Sequence, residues 1–255
     1  MKTIQTLIAT CIFLFCISCS SDSDNGKLSA EPQGLCANVS GITGIYWEFA
    51  HSIPAPLAQV PVIKNPGGQF IHSLQPLIGF TYPKGFTAFE VTDAQTATLG
   101  VNLVRDDNMV VFRWIPNTQA AGQVSATSII ANEINGVFAH YGFSGTPEVL
   151  CTTTANNTFE GISSQFTARL LRFDGITAQI WVRSTYAAGG TFSAISVTTA
   201  PTSEYETQVM DTFFPINFQL FVGRDGTFVD NDKDGVPANE DPDDNNPNIP
   251  NNTGG

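Results

Sequence analysis

The sequence predicts an all-β protein, an antiparallel β-sandwich of the jelly-roll or Ig-like kind. Short runs rich in Val, Ile, Thr and Phe are separated by turn residues at intervals of about 8–12 residues, a spacing typical of sandwiches and barrels. Apolar and polar residues alternate through residues 176–185, as expected for a strand that is buried on one face. No window of about eleven residues or more shows the periodicity of an amphipathic helix.

The predicted strands follow one another along the chain with turns between them. Asn135-Gly136 and Asp174-Gly175 are strong hairpin signals, because a type I′ turn needs two residues at positive φ, and residues 106–108 predict a third hairpin. Four prolines make residues 52–68 a long irregular connection. We predict strands at residues 77–82, 86–92, 97–105, 109–115, 127–134, 137–143, 165–173, 176–185, 191–199 and 216–222.

Two of these hairpins resemble each other at an offset of 67 residues. The matched positions include Trp114 with Trp181, and an Ala-Ala-Gly turn follows in each case, at residues 120–122 and 187–189. The similarity predicts either two related hairpin units inside one sandwich or a chance likeness between two hairpins.

The length and charge of the chain limit the classes of protein that it can be. Its 255 residues suffice for one large β domain or two small ones, and 19 phenylalanines can fill a core. Only 13% of the residues are charged, which suits an extracellular β protein. The net charge of −12 argues against nucleic acid as a partner, because phosphate binding needs clustered Lys and Arg.

The N-terminus has the pattern of a secretory signal peptide. A basic second residue precedes an apolar run over residues 4–17, which is too short for a membrane span followed by a loop. The end of the run, Cys16-Ile17-Ser18-Cys19, resembles the lipobox of bacterial lipoproteins, with Cys16 where Leu is usual. Ordinary cleavage followed by secretion, and a signal anchor, are the alternatives.

The lipobox resemblance implies that Cys19 is lipidated and that the chain is anchored to the outer membrane. The acidic tether at residues 20–26 accompanies cell-surface display in some Gram-negative lipoproteins, which implies the same location here. We therefore expect a signal peptide over residues 1–18, a flexible tether over 19–33, a β-sandwich domain over 34–223 and an acidic tail over 224–255.

Two cysteines, Cys36 and Cys151, remain in the body of the mature chain. An oxidising compartment favours a disulfide between them, which would close a loop of more than a hundred residues. Two buried free thiols are the alternative, and no His or Asn lies near either cysteine in sequence to indicate a catalytic thiol.

The acidic tail carries a calcium-binding pattern. Three aspartates at spacing two are followed at once by Gly235, where a calcium loop turns sharply. A carbonyl and a carboxylate follow at the seventh and twelfth positions of the loop, with two more carboxylates close behind. The predicted Ca²⁺ ligands are Asp230, Asp232, Asp234, Val236, Asp241, Asp243 and Asp244.

The tail resembles a single thrombospondin type 3 repeat, and equally the aspartate-rich metal-binding repeats of bacterial secreted proteins. Pro242 replaces the cysteine of both families, so their disulfide is absent, and prolines exclude the helices of an EF-hand. The resemblance implies weak calcium binding, at roughly 10⁻⁴–10⁻³ M. A disordered acidic linker is the alternative.

The body offers three kinds of residue for further chemistry. Large aromatic side chains, Trp47, Trp114 and Trp181, suit either sugar stacking or core packing. The histidines His51, His72 and His140 lack the spacing of a metal site. A glycoside hydrolase would need two acids about 5–9.5 Å apart, drawn from Glu48, Glu90, Glu133, Glu148 and Glu160.

Together these features predict a surface-exposed lipoprotein of the cell envelope that acts without catalysis, in binding, adhesion or a structural role. Its partners would be the membrane, through the lipid anchor, and an extracellular glycan or protein. A carbohydrate-binding β-sandwich module is the second hypothesis, and a secreted enzyme of the glycoside hydrolase type is the third. Exposed tryptophans on one face would favour the carbohydrate-binding module.

Overall fold

The structure is a computed structural model that describes residues 36, 39–50, 61–159, 162–222, 243, 245 and 246. All of these belong to one compact unit, Gly34–Gly255. The predicted signal peptide and tether lie outside the described residues.

The predicted antiparallel β fold is confirmed. The strands are β1 (Pro66–Ile71), β2 (Gly79–Pro83), β3 (Phe86–Asp93), β4 (Thr98–Arg105), β5 (Val111–Ala121), β6 (Glu148–Phe159), β7 (Ile162–Phe173), β8 (Ile176–Ala187) and β9 (Gly190–Pro201). Seven of them form one antiparallel sheet in the order β3-β4-β5-β9-β8-β7-β6, and the other two form a small antiparallel sheet, β1-β2. The chain runs from β3 to β5 as one meander, crosses to the far edge, and returns from β6 to β9 beside β5.

Helices cover both faces of the large sheet. They are α1 (Gly41–Ala50), α2 (Ala126–Tyr141), α3 (Tyr205–Gln208) and α4 (Phe214–Val222), with a π-helical turn at Val209–Phe213 between the last two. The front face, which carries Leu103, Phe112 and Leu170, packs against α1, the small sheet and the C-terminal helices. The back face, which carries Ile180 and Val197, packs against α2.

The front core is built largely from aromatic rings. The ring of Phe112 on β5 lies 6.2 Å from that of Phe80 on β2 and 6.3 Å from that of Phe213 in the π-helical turn. Tyr46 of α1 meets Phe214 edge to face at 4.9 Å. Because each ring removes a large apolar area from water, these contacts hold the small sheet and the C-terminal helices against the large sheet.

Helix α2 corrects two predicted strands, and it also contradicts the prediction that no window of the sequence has the periodicity of an amphipathic helix. Residues 127–134 and 137–143 are not strands joined by an Asn135-Gly136 hairpin, because that dipeptide lies inside the helix. Ser125 caps the helix by accepting a hydrogen bond from the Ser128 N–H at 3.1 Å, and Gly142 ends it at a φ of 66°. These end signals and the buried stripe on the back face outweigh the local turn propensity of Asn-Gly.

Other elements differ in part from the prediction. Residues 216–222 form helix α4 instead of a strand, and residues 66–68 of the predicted irregular connection belong to β1. Helices α1 and α3, the π-helical turn and strand β6 were not predicted. The Asp174-Gly175 hairpin is confirmed, since both residues have positive φ, 45° and 76°. The turn at residues 106–108 is also confirmed, with the Asn108 N–H donating to the Arg105 carbonyl at 2.8 Å.

Candidate functional site

Two tryptophans stand in one row on the front face of the large sheet. Trp114 on β5 and Trp181 on β8 are each paired with Ser196 of the intervening strand β9. Neighbouring strands lie about 4.8 Å apart, so the two side chains start about 10 Å from each other. Both are half-buried: Trp114 packs against the aromatic front core, and Trp181 packs against the cluster that contains Trp47.

Two further aromatic side chains extend this row along the strands. The Phe166 ring lies 6.2 Å from the Trp181 ring, and Phe192, which is 39% exposed, occupies the same face two rows further on. We call Trp114, Phe166, Trp181 and Phe192 the aromatic platform.

One cation belongs to the same surface. The guanidinium of Arg183 lies over the Phe166 ring at 5.9 Å from its centroid, the geometry of a cation–π contact. Burial lowers the pKa of Arg183, yet a guanidinium stays charged at neutral pH. The platform therefore combines flat apolar rings with one positive charge on a strongly acidic chain.

The third tryptophan has a different role. Trp47 of α1 is 0% exposed and packs in a separate cluster with Ala168, Leu170 and two cysteines. Those cysteines, Cys36 and Cys151, form a disulfide with 5.6 Å between their Cα atoms. Core packing therefore accounts for Trp47, and of the three tryptophans only Trp114 and Trp181 are partly exposed to solvent.

A pocket lined by uncharged polar side chains lies at the same end of the sheet, on the back face. It has a volume of about 180 Å³. Its floor consists of two cross-strand rows, Tyr186–Ser163–Thr158 and Ser184–Gln165–Asn156. Gln123 and Val124 also line the pocket, so hydroxyls and amides dominate and no lining residue is charged. We call it the polar pocket.

The predicted calcium ligands fall almost entirely outside the described residues. Asp243 is described and lies exposed in a turn, where its carbonyl accepts a hydrogen bond from the Asn246 N–H at 2.8 Å. Within the described part of the chain, no three His, Cys, Asp or Glu side chains are grouped so as to hold a metal ion. The other predicted ligands also lie outside the described residues: Asp230, Asp232, Asp234, Val236, Asp241 and Asp244. The same holds for Cys19, the predicted lipidation site.

The glutamates proposed for a hydrolase are spread over the molecule. Glu90 on edge strand β3 accepts hydrogen bonds of 2.6 Å from the backbone and the hydroxyl of Ser73. Glu148 begins the opposite edge strand, β6, and Glu133 lies on the back-face helix α2. Glu48 is buried on α1, at the front, and Glu160 lies outside the described residues. Glu90 and Glu148 lie on opposite edges of the sheet, and Glu48 and Glu133 lie on opposite faces, so neither pair favours a two-acid cleft.

The described histidines are also far apart in the fold. His72 is completely buried next to the small sheet, with its Nδ1 accepting from the Leu74 N–H at 3.1 Å. His140 is exposed on α2, where its Nε2 lies 2.9 Å from the Asn108 carbonyl oxygen. His51 lies outside the described residues.

None of the helices in the described ranges is long and apolar enough to cross a membrane.

Comparison with known proteins gives only remote likenesses. No protein family and no curated protein sequence matches the chain. Among solved structures, cyanobacterial PsbP from Synechocystis is similar at 10% identity and a TM-score of 0.30, covering 61% of this chain and 89% of its own. LpqN of Mycobacterium tuberculosis, involved in cell envelope biogenesis, is similar at 12% identity and a TM-score of 0.27, covering 59% and 86%. We draw no functional conclusion from likenesses of this size.

Proposed function

We propose that this protein is a lipid-anchored, surface-displayed protein of the cell envelope that binds a neutral glycan without catalysis. The observation that carries the proposal is the placement of Trp114 and Trp181 in one row on one face of the sheet. Sugar rings present flat C–H faces that pack on aromatic rings, and burial of these faces drives binding.

The spacing of the two indoles suits a chain of sugars better than one sugar. Side chains that start about 10 Å apart are separated by about the length of a disaccharide unit. Phe166 and Phe192 continue the apolar surface, so an extended glycan would contact several rings in succession. The Arg183 guanidinium beside Phe166 can donate hydrogen bonds to sugar hydroxyls at the side of this row.

The polar pocket supports the same class of ligand through its chemistry. Hydroxyls and amides both donate and accept hydrogen bonds, as sugar hydroxyls do, and an uncharged lining imposes no requirement for a charged ligand. Its floor belongs to strands β6, β7 and β8, two of which also carry the aromatic platform on their front face. One end of the sheet would therefore contact glycan on both faces.

Anchoring and calcium binding complete the proposal and depend on the sequence alone. The lipobox-like segment ending at Cys19 would attach the chain to the outer membrane, and the acidic tail would bind Ca²⁺ through Asp230, Asp232 and Asp234. The ion would rigidify the tail and reduce repulsion among its carboxylates. An adhesive role fits this arrangement, because the membrane would hold one end of the chain while the sheet meets an external glycan.

The experiment measures glycan binding by the chain that starts at Ser20. Isothermal titration and pull-down against a panel of neutral polysaccharides should detect binding, and Trp181→Ala and Trp114→Ala should each weaken it by at least about 5-fold, or roughly 1 kcal/mol. Trp181→Phe keeps a ring and should retain most of the affinity. Phe221→Ala, which removes an 80% exposed ring outside the platform, is the matched control.

Thermal unfolding of each variant separates lost binding from lost folding. If a folded Trp114→Ala/Trp181→Ala chain binds the glycan as tightly as the original chain, the aromatic platform is not part of the binding site. In that case, Asn156→Ala and Ser163→Ala test the polar pocket. Absence of binding to every glycan of the panel would refute the proposed ligand class.

A further inference from the structure

A second groove lies on the back face, beside helix α2 and away from the platform and the polar pocket. Helix α2 packs over β7 and β8 and leaves the adjacent surface of β4 and β5 open. The resulting groove has a volume of about 340 Å³. Val104, Val111 and Val197 contribute to its floor, and Gly136 and Val137 of α2 to its wall.

Gly136 is the unusual residue of this wall. Glycine in the interior of a helix destabilises it relative to alanine. A Cβ built on Gly136 would meet no atom within 4 Å, and its φ is not in the left-handed region, so neither packing nor backbone conformation requires glycine. At Gly100, by contrast, a Cβ would lie 2.5 Å from the Trp114 carbonyl oxygen, so the sheet itself requires that glycine.

An occupant of the groove would explain Gly136. Without a side chain at this position, the backbone of α2 is directly accessible from the groove, and a ligand can approach it more closely than at any residue with a Cβ. Contact between the ligand and the backbone of α2 would then offset the lower intrinsic stability that glycine gives the helix.

The floor of the groove consists of two cross-strand rows, Asn102–Arg113–Val197 and Val104–Val111–Thr199, so each row combines valine with polar side chains. At one end, Arg113 of the floor pairs with Glu133 of the wall at 3.0 Å and donates to the Asn102 side-chain oxygen at 2.9 Å. At the other end, the Tyr141 hydroxyl lies 2.6 Å from the Thr199 hydroxyl. Gly136 lies between the two ends, about one turn of α2 from Glu133 and about one and a half turns from Tyr141.

These polar ends limit the charge of an occupant. The Arg113–Glu133 pair is neutral as a whole and offers both N–H donors and carboxylate acceptors, with side-chain exposures of 27% and 18%. An anionic group would be attracted to Arg113 but repelled by Glu133. A cationic group would be attracted to Glu133 but repelled by Arg113. A hydroxyl or amide, which donates and accepts at once, matches the pair without a charge conflict.

We propose that this groove binds a small neutral amphipathic molecule. Its aliphatic or aromatic body would lie against the valine floor and Gly136, with a hydroxyl or amide group at the Arg113–Glu133 end. The volume admits a small molecule and not a helix, whose diameter with side chains is about 10–12 Å. This site is independent of the proposed glycan surface.

The test uses the neutral fluorescent probe N-phenyl-1-naphthylamine, whose emission rises in apolar surroundings, with the full chain from Ser20 onward. Gly136→Leu fills the groove and should raise the probe's dissociation constant at least about 10-fold, the loss of most of the apolar contact. Asn135→Leu is the matched control, because it adds the same side chain to an exposed position of α2 that does not line the groove. It should leave the constant unchanged.

Gly136→Ala separates the ligand contact from folding. Alanine should raise the melting temperature by about 1–4 °C, since it improves helix propensity in open space, and should still weaken probe binding by about 3-fold or more. Equal binding by the Gly136→Leu and Asn135→Leu chains, or no binding by the original chain, would overturn the proposal. Neither outcome depends on glycan binding, which is measured separately through Trp114 and Trp181.

Discussion

The disulfide between Cys36 and Cys151 permits a quantitative prediction. It joins residues 115 positions apart, so breaking it frees a long loop in the unfolded chain. The chain-entropy relation gives a loss of about 4.8 kcal/mol of unfolding free energy for a loop of this length. At about 2–4 °C per kcal/mol for a domain of this size, the melting temperature should fall by about 10–19 °C.

Local packing gives the competing explanation of what the bond does. Both cysteines are buried in a small cluster with Trp47, Ala168 and Leu170, which ties the start of α1 to edge strand β6. If the bond only held α1 in place, its loss would expose the cluster without destabilising the distant strands. The two explanations differ in whether the whole sheet melts earlier or only α1 detaches.

Calorimetry of three samples distinguishes these explanations. The oxidised chain, the same chain reduced, and the Cys36→Ala/Cys151→Ala chain should unfold in single transitions, with the last two close together and well below the first. Hydrogen exchange of β9, the central strand of the sheet, should accelerate in both unlinked forms. A drop smaller than about 4 °C, with faster exchange confined to α1, would refute the loop-entropy reasoning.

Three further predictions concern other parts of the chain. Gly100→Ala should cost about 1–3 kcal/mol or more in urea unfolding, because its Cβ would lie 2.5 Å from the Trp114 carbonyl oxygen, and an unchanged midpoint would contradict that close approach. The Ser73 hydroxyl and then its N–H lower the pKa of Glu90 from its usual 4.5, so this stabilisation is complete above that value and is lost as the pH falls through the lower folded pKa. Stability measured below about pH 4.5 should therefore fall less steeply with decreasing pH in Glu90→Gln than in the original chain. Asp234→Ala should remove the heat of calcium binding in titration calorimetry and leave the β-sheet circular dichroism intact, and loss of that signal would contradict a modular tail.

The antiparallel β architecture could be predicted because its signal is local. Alternation in residues 176–185 and the Asp174-Gly175 turn each specify one hairpin, and the structure contains that hairpin as β8 with its preceding turn. Helix α2 was missed because Asn135-Gly136 was interpreted as a turn. The cap at Ser125, the stop at Gly142 and the apolar stripe between them were the competing signals in the sequence.

The candidate site was predictable only in part, because it depends on strand order. The sequence singled out Trp114 and Trp181 but could not show that both would flank β9, since 67 residues and a crossover separate them. The polar pocket had no signal of its own, because its floor residues come from three strands and β6 was not predicted. A run of Thr and Asn in residues 152–158 was the one trace of it.

The pairing register of β5 and β8 with β9 places equivalent residues of the two similar hairpin units side by side in the sheet. Strands β5 and β8 both run antiparallel to β9, on either side of it, so equivalent positions of the two units fall at the same height. Trp114 and Trp181 accordingly lie opposite Ser196, and the Gly122 N–H donates to the Gly189 carbonyl at 3.0 Å, joining the two Ala-Ala-Gly turns. Two related units placed on both sides of one strand repeat any exposed side chain at a spacing of two strands. The pair of tryptophans thus follows from the arrangement of the units, and the proposed glycan ligand has a repeat of its own that could contact both tryptophans.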